Sequence, residues 1–514
     1  MSRVAIASST QLSADAGATI AREGGNAVDA AIAASLVAIS TEPGICSPGC
    51  GGFITIWPAA GDPVTFDGNI EMPGRNLAPE RLGGGAWEVN MEYGGGISTY
   101  VGHGSVGTPG GLAAYDRAWS DYGKIPWREL FGPAIKSTKE GFPLSPASHN
   151  YLRHAHDCVY GWLSESHAPL HHGSTLKNVG DLIKVEHLSE SLDAIAQQGV
   201  DSFYRGDLAK LIATDFETNE GVMTATDLAE YEVIKRKPLA FSQSGWTLAT
   251  NPAPAVGGVS LVAMLELLSH PDHAQVAQSD AAGWSQQTTV LIADIQHRVL
   301  MHRLHHLDYS HSLDEDTQAL LELARTGSVP LSKPSASTVH TSAVDSNGLA
   351  CAITMSSGYG AGVMPPGTGI WMNNCLGEIE LNRKGLNAGP PGMRLASNMA
   401  PTTGRHVDGR VLAIGSPGAD RITSALLCTL NNFMRDELPL DEAIARPRLH
   451  LEINDGDPRV AYERGLDVTG VLLPVREFAE PSMFFGGVGA TLFTPGNELV
   501  AAADPRRSGG HCVV

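Results

Sequence analysis

The spacing of apolar and polar positions divides the chain into two regimes. Val4 to Ala7 reads as a short buried strand, and Ser13 to Arg22 repeats at helical spacing until Gly24-Gly25 stops it. Asn26 stands at an N-cap position with Asp29 three residues on, and Val28, Ile32, Leu36 and Ile39 follow along a helix. Gly49 to Pro58, "GCGGFITIWP", reads as a glycine turn entering a strand. Residues 74–110 are glycine-rich without a period and are expected to be loop. From 111 to 325 helical spacing dominates. Leu188 to Gln198 ends at Gly199, Asp207 to Phe216 is expected to be capped by Asp207, and Gly257 to Ser269 follows "NPAPAVGG". Residues 285–325 form a longer helical region, broken near Asp308.

Thr326 to Ser337 is a linker by composition, and beyond it the pattern changes to alternation. Thr338 to Val344, Leu349 to Met355, Arg410 to Ile414, Gly489 to Phe493 and Leu499 to Ala503 all read as strands. The clearest helix in this part is Thr423 to Met434. The segment before residue 338 is therefore helix-rich and the one after it strand-rich.

Composition narrows the class. Of 514 residues, 42% are hydrophobic and 18% charged, a globular balance. The net charge of −20 repels phosphate backbones and anionic membranes, which argues against both as partners. The N-terminus lacks a signal peptide's basic head and apolar core, so a cytoplasmic protein is expected. Seven scattered cysteines do not form a secreted disulfide framework; Cys46 and Cys50 alone are close enough for a local bridge or half a metal site. His302 and His306 share a helix face, but no HExxH pattern exists, and the pairs His154/His156 and His171-His172 show no carboxylate at useful spacing. No metal is expected.

Two stretches carry candidate chemistry. "GSPGAD", Gly415 to Asp420, links a strand to a helix; it fits no nucleotide motif, but successive N–H groups at such a turn can face a developing oxyanion. No GxSxG elbow exists. Thr338 stands where the linker meets a strand. If the chain is cut between Ser337 and Thr338, Thr338 gains an α-amine that titrates near neutrality and can serve as base for its own hydroxyl.

Read together, these segments resemble the γ-glutamyltranspeptidases, a family of N-terminal-nucleophile hydrolases. "EGGNAVDAAIAASLVAISTEP" with "GGFITIW" looks like the family's N-terminal signature, and "GSVGTPGGLAAYDRAWSDYGKIPWRELFGPAIKSTKEGFPLS" is similar to its next block. "STVHTSAVDSNGLACAITMS", "GTGIWMNN", "RLASNMAPT", "GSPGADRI", "RPRLH" and "ADPR" follow in family order. The resemblance implies an α+β fold, a four-layer αββα sandwich in which a large fragment 1–337 and a small fragment 338–514 intertwine as a heterodimer after self-cleavage. A homo-oligomer of that heterodimer stays open. It implies Thr338 as nucleophile, Ser356 as a supporting hydroxyl, Gly418 and Ala419 at the oxyanion hole, and no cofactor. Small γ-glutamyl amides such as glutathione would be the substrates, with transfer to water or an amine.

Departures fall on substrate recognition. Where the family has an arginine just ahead of Glu-Met, "DGNIEMPGR" offers Asn69 or Ile70, with Arg75 as a substitute from another position. A Ser-Ser clamp becomes Ser397-Asn398, and the α-amine partner becomes Glu378 in "NNCLGEIELN", with Asn374 beside it. Gly-Gly at the oxyanion hole becomes Gly418-Ala419. The loop "TMSSGYGAG" is two residues short, and the segment from Glu378 to Ser397 is too short for a substrate-covering lid. Losing a bidentate arginine–carboxylate pair forfeits roughly 1.5–3 kcal/mol. Three readings follow: a γ-glutamyl amidohydrolase or transferase; the same chemistry on another acyl group, as in cephalosporin acylases or oxamate amidohydrolases; or an uncleaved, non-catalytic relative.

Overall fold

The computed structural model describes residues 2–93, 96–274, 276, 279–280, 283–327, 329, 338–379, 381–454, 457–496 and 498–514. Residues 330–337, which hold most of the expected linker and Ser337, lie outside them.

Two sheets stack at the centre. The first has seven strands in the order Ile234–Arg236, Val64–Gly68, Gly51–Trp57, Ala350–Ser356, Val339–Asp345, Val4–Ser8, Gly510–Val513, each antiparallel to its neighbours. The second has six, in the order Leu239–Gln243, Trp246–Thr250, Thr402–His406, Val411–Gly415, Gly489–Thr494, Glu498–Ala503. Both sheets draw strands from before and after residue 338. Val339–Asp345 lies against Val411–Gly415 and Gly489–Thr494 of the facing sheet. It is buried along its whole length, because covered faces leave no solvent side for alternation to serve.

Helices cover the outer faces. Ala27–Thr41 packs on the first sheet and is buried at every position, which small alanines permit. Asn26 caps it in a reciprocal box with Asp29, as the spacing predicts. Gln11–Arg22 crosses it so closely that a side chain at Gly17 would meet the Ala30 carbonyl at 2.7 Å. Val256–Ser269 and Arg421–Leu430 cover the second sheet, completing the expected αββα layers. No described helix is long and apolar enough to cross a membrane.

Several local expectations need correction. Residues 74–110 hold a hairpin, Trp87–Met91 with Ile97–Val101, whose glycine-rich flanks hide its period. The helix starting at Asp207 has Gly206 at its N-cap and no side-chain cap; Asp207 sits in the first turn, where its charge faces the helix dipole. The helix-rich region contains three core strands between Ile234 and Thr250. After residue 338, Leu440–Ala445 is a further helix.

Candidate active site

Thr338 directly precedes the central strand Val339–Asp345 and is 3% exposed. Register places Val339 opposite Met355, so Ser356 at the end of the neighbouring strand lies beside Thr338, across from Gly51. Thr338 walls two small cavities of about 20 Å³ each, room for roughly one water apiece. The first is lined also by Asn69, Ile70, Ser356, Glu378, Ser397 and Asn398. The fold thus gathers residues spread over more than three hundred positions.

The first cavity holds one buried carboxylate. Glu378 is 2% exposed, and its backbone N–H donates to the Asn374 carbonyl at 3.2 Å. Ser397 is fixed by the Gly257 N–H donating to its carbonyl and the Met399 N–H donating to its Oγ. Ser356 Oγ accepts from the Gly358 N–H at 3.1 Å. Among the described residues lining this cavity there is no arginine or lysine. Asn69 and Ile70, the two residues that the resemblance sets against the arginine, are both buried.

Two expected substrate residues are not brought there. Arg75 is held by three carboxylates outside the cavity: Glu71 at 3.1 Å, Glu230 at 3.2 Å and Asp227 at 3.4 Å. Its charge is neutralised where it stands. Asn374 has its amide engaged within the protein: Oδ1 accepts from the Tyr359 N–H, and Nδ2 donates to Thr99 Oγ1 and the Tyr100 carbonyl. It ties three segments together, with both Nδ2 donors used within the protein.

Gly418 and Ala419 form the turn after Val411–Gly415, with φ of 131° and 70°. Ala419 therefore holds a left-handed conformation that costs an alanine about 1 kcal/mol. Pro417, just before them, walls the second Thr338 cavity. Asp420, which follows, pairs with Arg421 and with His450 Nε2 at 3.1 Å. Burial pushes its carboxyl up, but the charges of Arg421 and His450 outweigh that and hold it at about 2. His450 Nδ1 meets Ser424 Oγ at 2.9 Å, and Ser424 donates to Gln296 Oε1 at 3.1 Å. All three groups are buried, and this Ser–His–Asp chain braces the turn.

The second cavity exposes residues that sequence reasoning missed. His340 bonds along the first sheet, with Nδ1 on Thr354 Oγ1 and Nε2 on Ser342 Oγ, and its ring packs against Gly415 of the second. Burial lowers it to about 3, so the ring is neutral. Glu42 follows the helix Ala27–Thr41, is 2% exposed and walls the cavity with Thr338, Val339 and Arg507. Burial pushes its carboxyl up to about 7, against a Ser145 hydrogen bond and the Arg507 charge. Its Oε1 has no hydrogen-bond partner among the described residues. In the unfolded chain the group titrates near 4.5, so the fold binds the extra proton between about 4.5 and 7. Stability from this group is fully present below that window and falls by on the order of 3 kcal/mol as pH rises through it. Glu42→Gln cannot titrate. Its stability relative to the parent, measured by urea unfolding, rises between pH 5 and pH 8; a constant difference would contradict the assignment. The only sequence signal for Glu42 was a charge ending an apolar run.

Cys46 and Cys50 are buried free thiols and form no bridge. The Cys46 side chain and burial push the Cys50 thiol well up, which keeps it protonated. His302 and His306 stack at 4.3 Å where the helix passes into a π turn.

With this geometry in place, comparison with known proteins decides the family. The model of the family described as Gamma-glutamyltranspeptidase matches residues 13–514. The chain belongs to the γ-glutamyltranspeptidase family. Among curated family relatives, the Glutathione hydrolase proenzyme of Escherichia coli (strain K12) is 28% identical, over 98% of this chain and 90% of its own. The Acylase ACY 1 proenzyme of Pseudomonas sp. (strain SE83) is 27% identical, over 99% and 93%. The crystal structure of a cephalosporin acylase from Bacillus halodurans superposes with a TM-score of 0.77 at 23% identity, over 99% of this chain and 96% of that one. The α+β sandwich of the N-terminal-nucleophile type expected from the sequence is therefore the fold. Family membership makes the protein an enzyme of the hydrolase and transferase kind, divergent at this level of identity.

Proposed function

We propose that the protein is a self-cleaving threonine amidohydrolase and acyltransferase acting on γ-glutamyl amides. One observation carries this: Thr338, Ser356 and the buried carboxylate of Glu378 wall one cavity. In self-cleavage the Thr338 hydroxyl attacks the carbonyl of Ser337. The peptide C–N bond breaks as the acyl group moves to Thr338 Oγ, which frees the α-amine, and water then hydrolyses that ester to restore the hydroxyl and release the Ser337 carboxylate. In turnover that amine takes the hydroxyl proton as Oγ attacks the substrate amide carbonyl. The N–H groups of Gly418 and Ala419 receive the oxyanion. The proton passes to the leaving amine, an acyl ester remains, and water or a second amine releases the acyl group.

Glu378 selects the acyl group. A buried carboxylate attracts a substrate ammonium and repels a substrate carboxylate. A γ-glutamyl group offers both charges: the ammonium meets Glu378, and the α-carboxylate takes neutral donors from Ser397 and Asn398. A second reading, the same chemistry on an acyl group without an α-carboxylate, is favoured by Ile70 and by the acylase relative. Assay of matched γ-glutamyl, glutaryl and uncharged acyl anilides separates the two. The γ-glutamyl compound is expected to turn over fastest. An inert γ-glutamyl anilide beside an active uncharged one would establish the second reading.

A further inference from the structure

We propose that His156, His171 and Asp157 form a binding site for a zinc-class divalent metal ion, away from Thr338. The fold corrects the expectation that these histidines lack a carboxylate: one donor atom from each of the three lies within 4.8 Å of the others. His156 Nδ1 is 3.0 Å from His171 Nε2 and 3.1 Å from Asp157 Oδ1. Zinc with ligands at 2.0–2.1 Å in a tetrahedron needs edges of about 3.3 Å, so both of these edges lie within about 0.3 Å of that value, and the third, His171 to Asp157, is within 4.8 Å.

The surroundings prepare His171 as a ligand. Its Nδ1 donates to the His167 carbonyl at 2.8 Å, which leaves the Nε2 lone pair aimed at His156. A ligating imidazole usually has its other nitrogen anchored in this way. The ring of His167 stacks on His171, centroids 3.6 Å apart and planes at 8°, and fixes its orientation. His171 is 6% exposed while Asp157 is exposed, so one side is rigid and the other leaves a coordination position to water. Without metal, His156 Nδ1–H is shared between a ring nitrogen and a carboxylate. An ion that displaces this single proton satisfies all three donors. Two imidazoles and a carboxylate suit zinc and its neighbours and not magnesium or calcium.

The site would close a loop that leans toward the catalytic region. Between its ligands, Tyr160 donates to the Tyr359 carbonyl and Ser166 to the Gly362 carbonyl at 2.7 Å. That glycine-rich segment lies against Glu378, since a side chain at Gly358 would meet the carboxyl at 2.8 Å. Metal binding is thus expected to stiffen one wall of the acyl cavity.

The test is zinc titration of the untagged full-length protein, stripped of metal, against a chromophoric zinc chelator. One equivalent is expected to bind and to raise the melting temperature. His156→Ala and His171→Ala weaken that binding about 10- to 100-fold or more. Asp157→Asn, an exposed change that leaves the packing intact, weakens it in the same direction, and His306→Ala does not. Absence of stoichiometric binding, or binding unchanged in Asp157→Asn and His156→Ala alike, overturns the proposal.

Discussion

Thr338→Ala is expected to migrate as one full-length band on denaturing gels, however long it is incubated, and to lose activity by about 10⁴-fold or more. Two losses combine. Alanine has no hydroxyl to attack the preceding peptide, so the α-amine is never released, and it has no nucleophile for substrate. The parent is expected to show two bands, residues 1–337 and 338–514. Because both sheets interleave strands from the two segments, those fragments stay together in native gel filtration. Thr338→Ser restores the hydroxyl and amine, so it cleaves, at a rate lowered by the freer serine rotamer. Circular dichroism of all three forms excludes misfolding as the cause. Two bands from folded Thr338→Ala would overturn the proposal at its root.

What was legible in the sequence follows from how local each signal is. The strands around Thr338 and the capped helix at Asn26 are written in contiguous residues, and they appear within a residue or two of expectation. The hairpin at Trp87–Met91 with Ile97–Val101 is short and mixes exposed, half-buried and buried positions, so no apolar period marks it. Ser356, Ser397, Asn398 and Glu378 were found by resemblance, and the cavity gathers them. Arg75 and Asn374 fail for a different reason: the sequence shows that a polar group exists and not what already occupies it. Only the fold brings Asp227 and Glu230 to Arg75, and Thr99 to Asn374. Glu42 and the Asp157 site are the reverse case. Their neighbours, Arg507 and His171, meet them through tertiary contact that no local pattern announces.

Glu378→Gln decides which acyl group the cavity was built for. The amide keeps the volume of the carboxyl, so the packing around Cys375, Leu381 and Leu395 is preserved. The negative charge is lost. For a γ-glutamyl anilide the charge-assisted contact to the ammonium goes with it, about 1.5–3 kcal/mol, or roughly 10- to 150-fold in kcat/KM. For a glutaryl anilide, which has no ammonium, the same change removes a repulsion and turnover rises. The preference therefore narrows or inverts, while self-cleavage, which needs only Thr338 and its preceding peptide, still gives two bands. Glu378→Asp keeps the charge and shortens the reach by one methylene, so it retains the γ-glutamyl preference with a raised KM. Equal losses on both anilides would mean that Glu378 holds the cavity together without reading the substrate. The specificity would then rest with Ile70 and the Ser397-Asn398 pair.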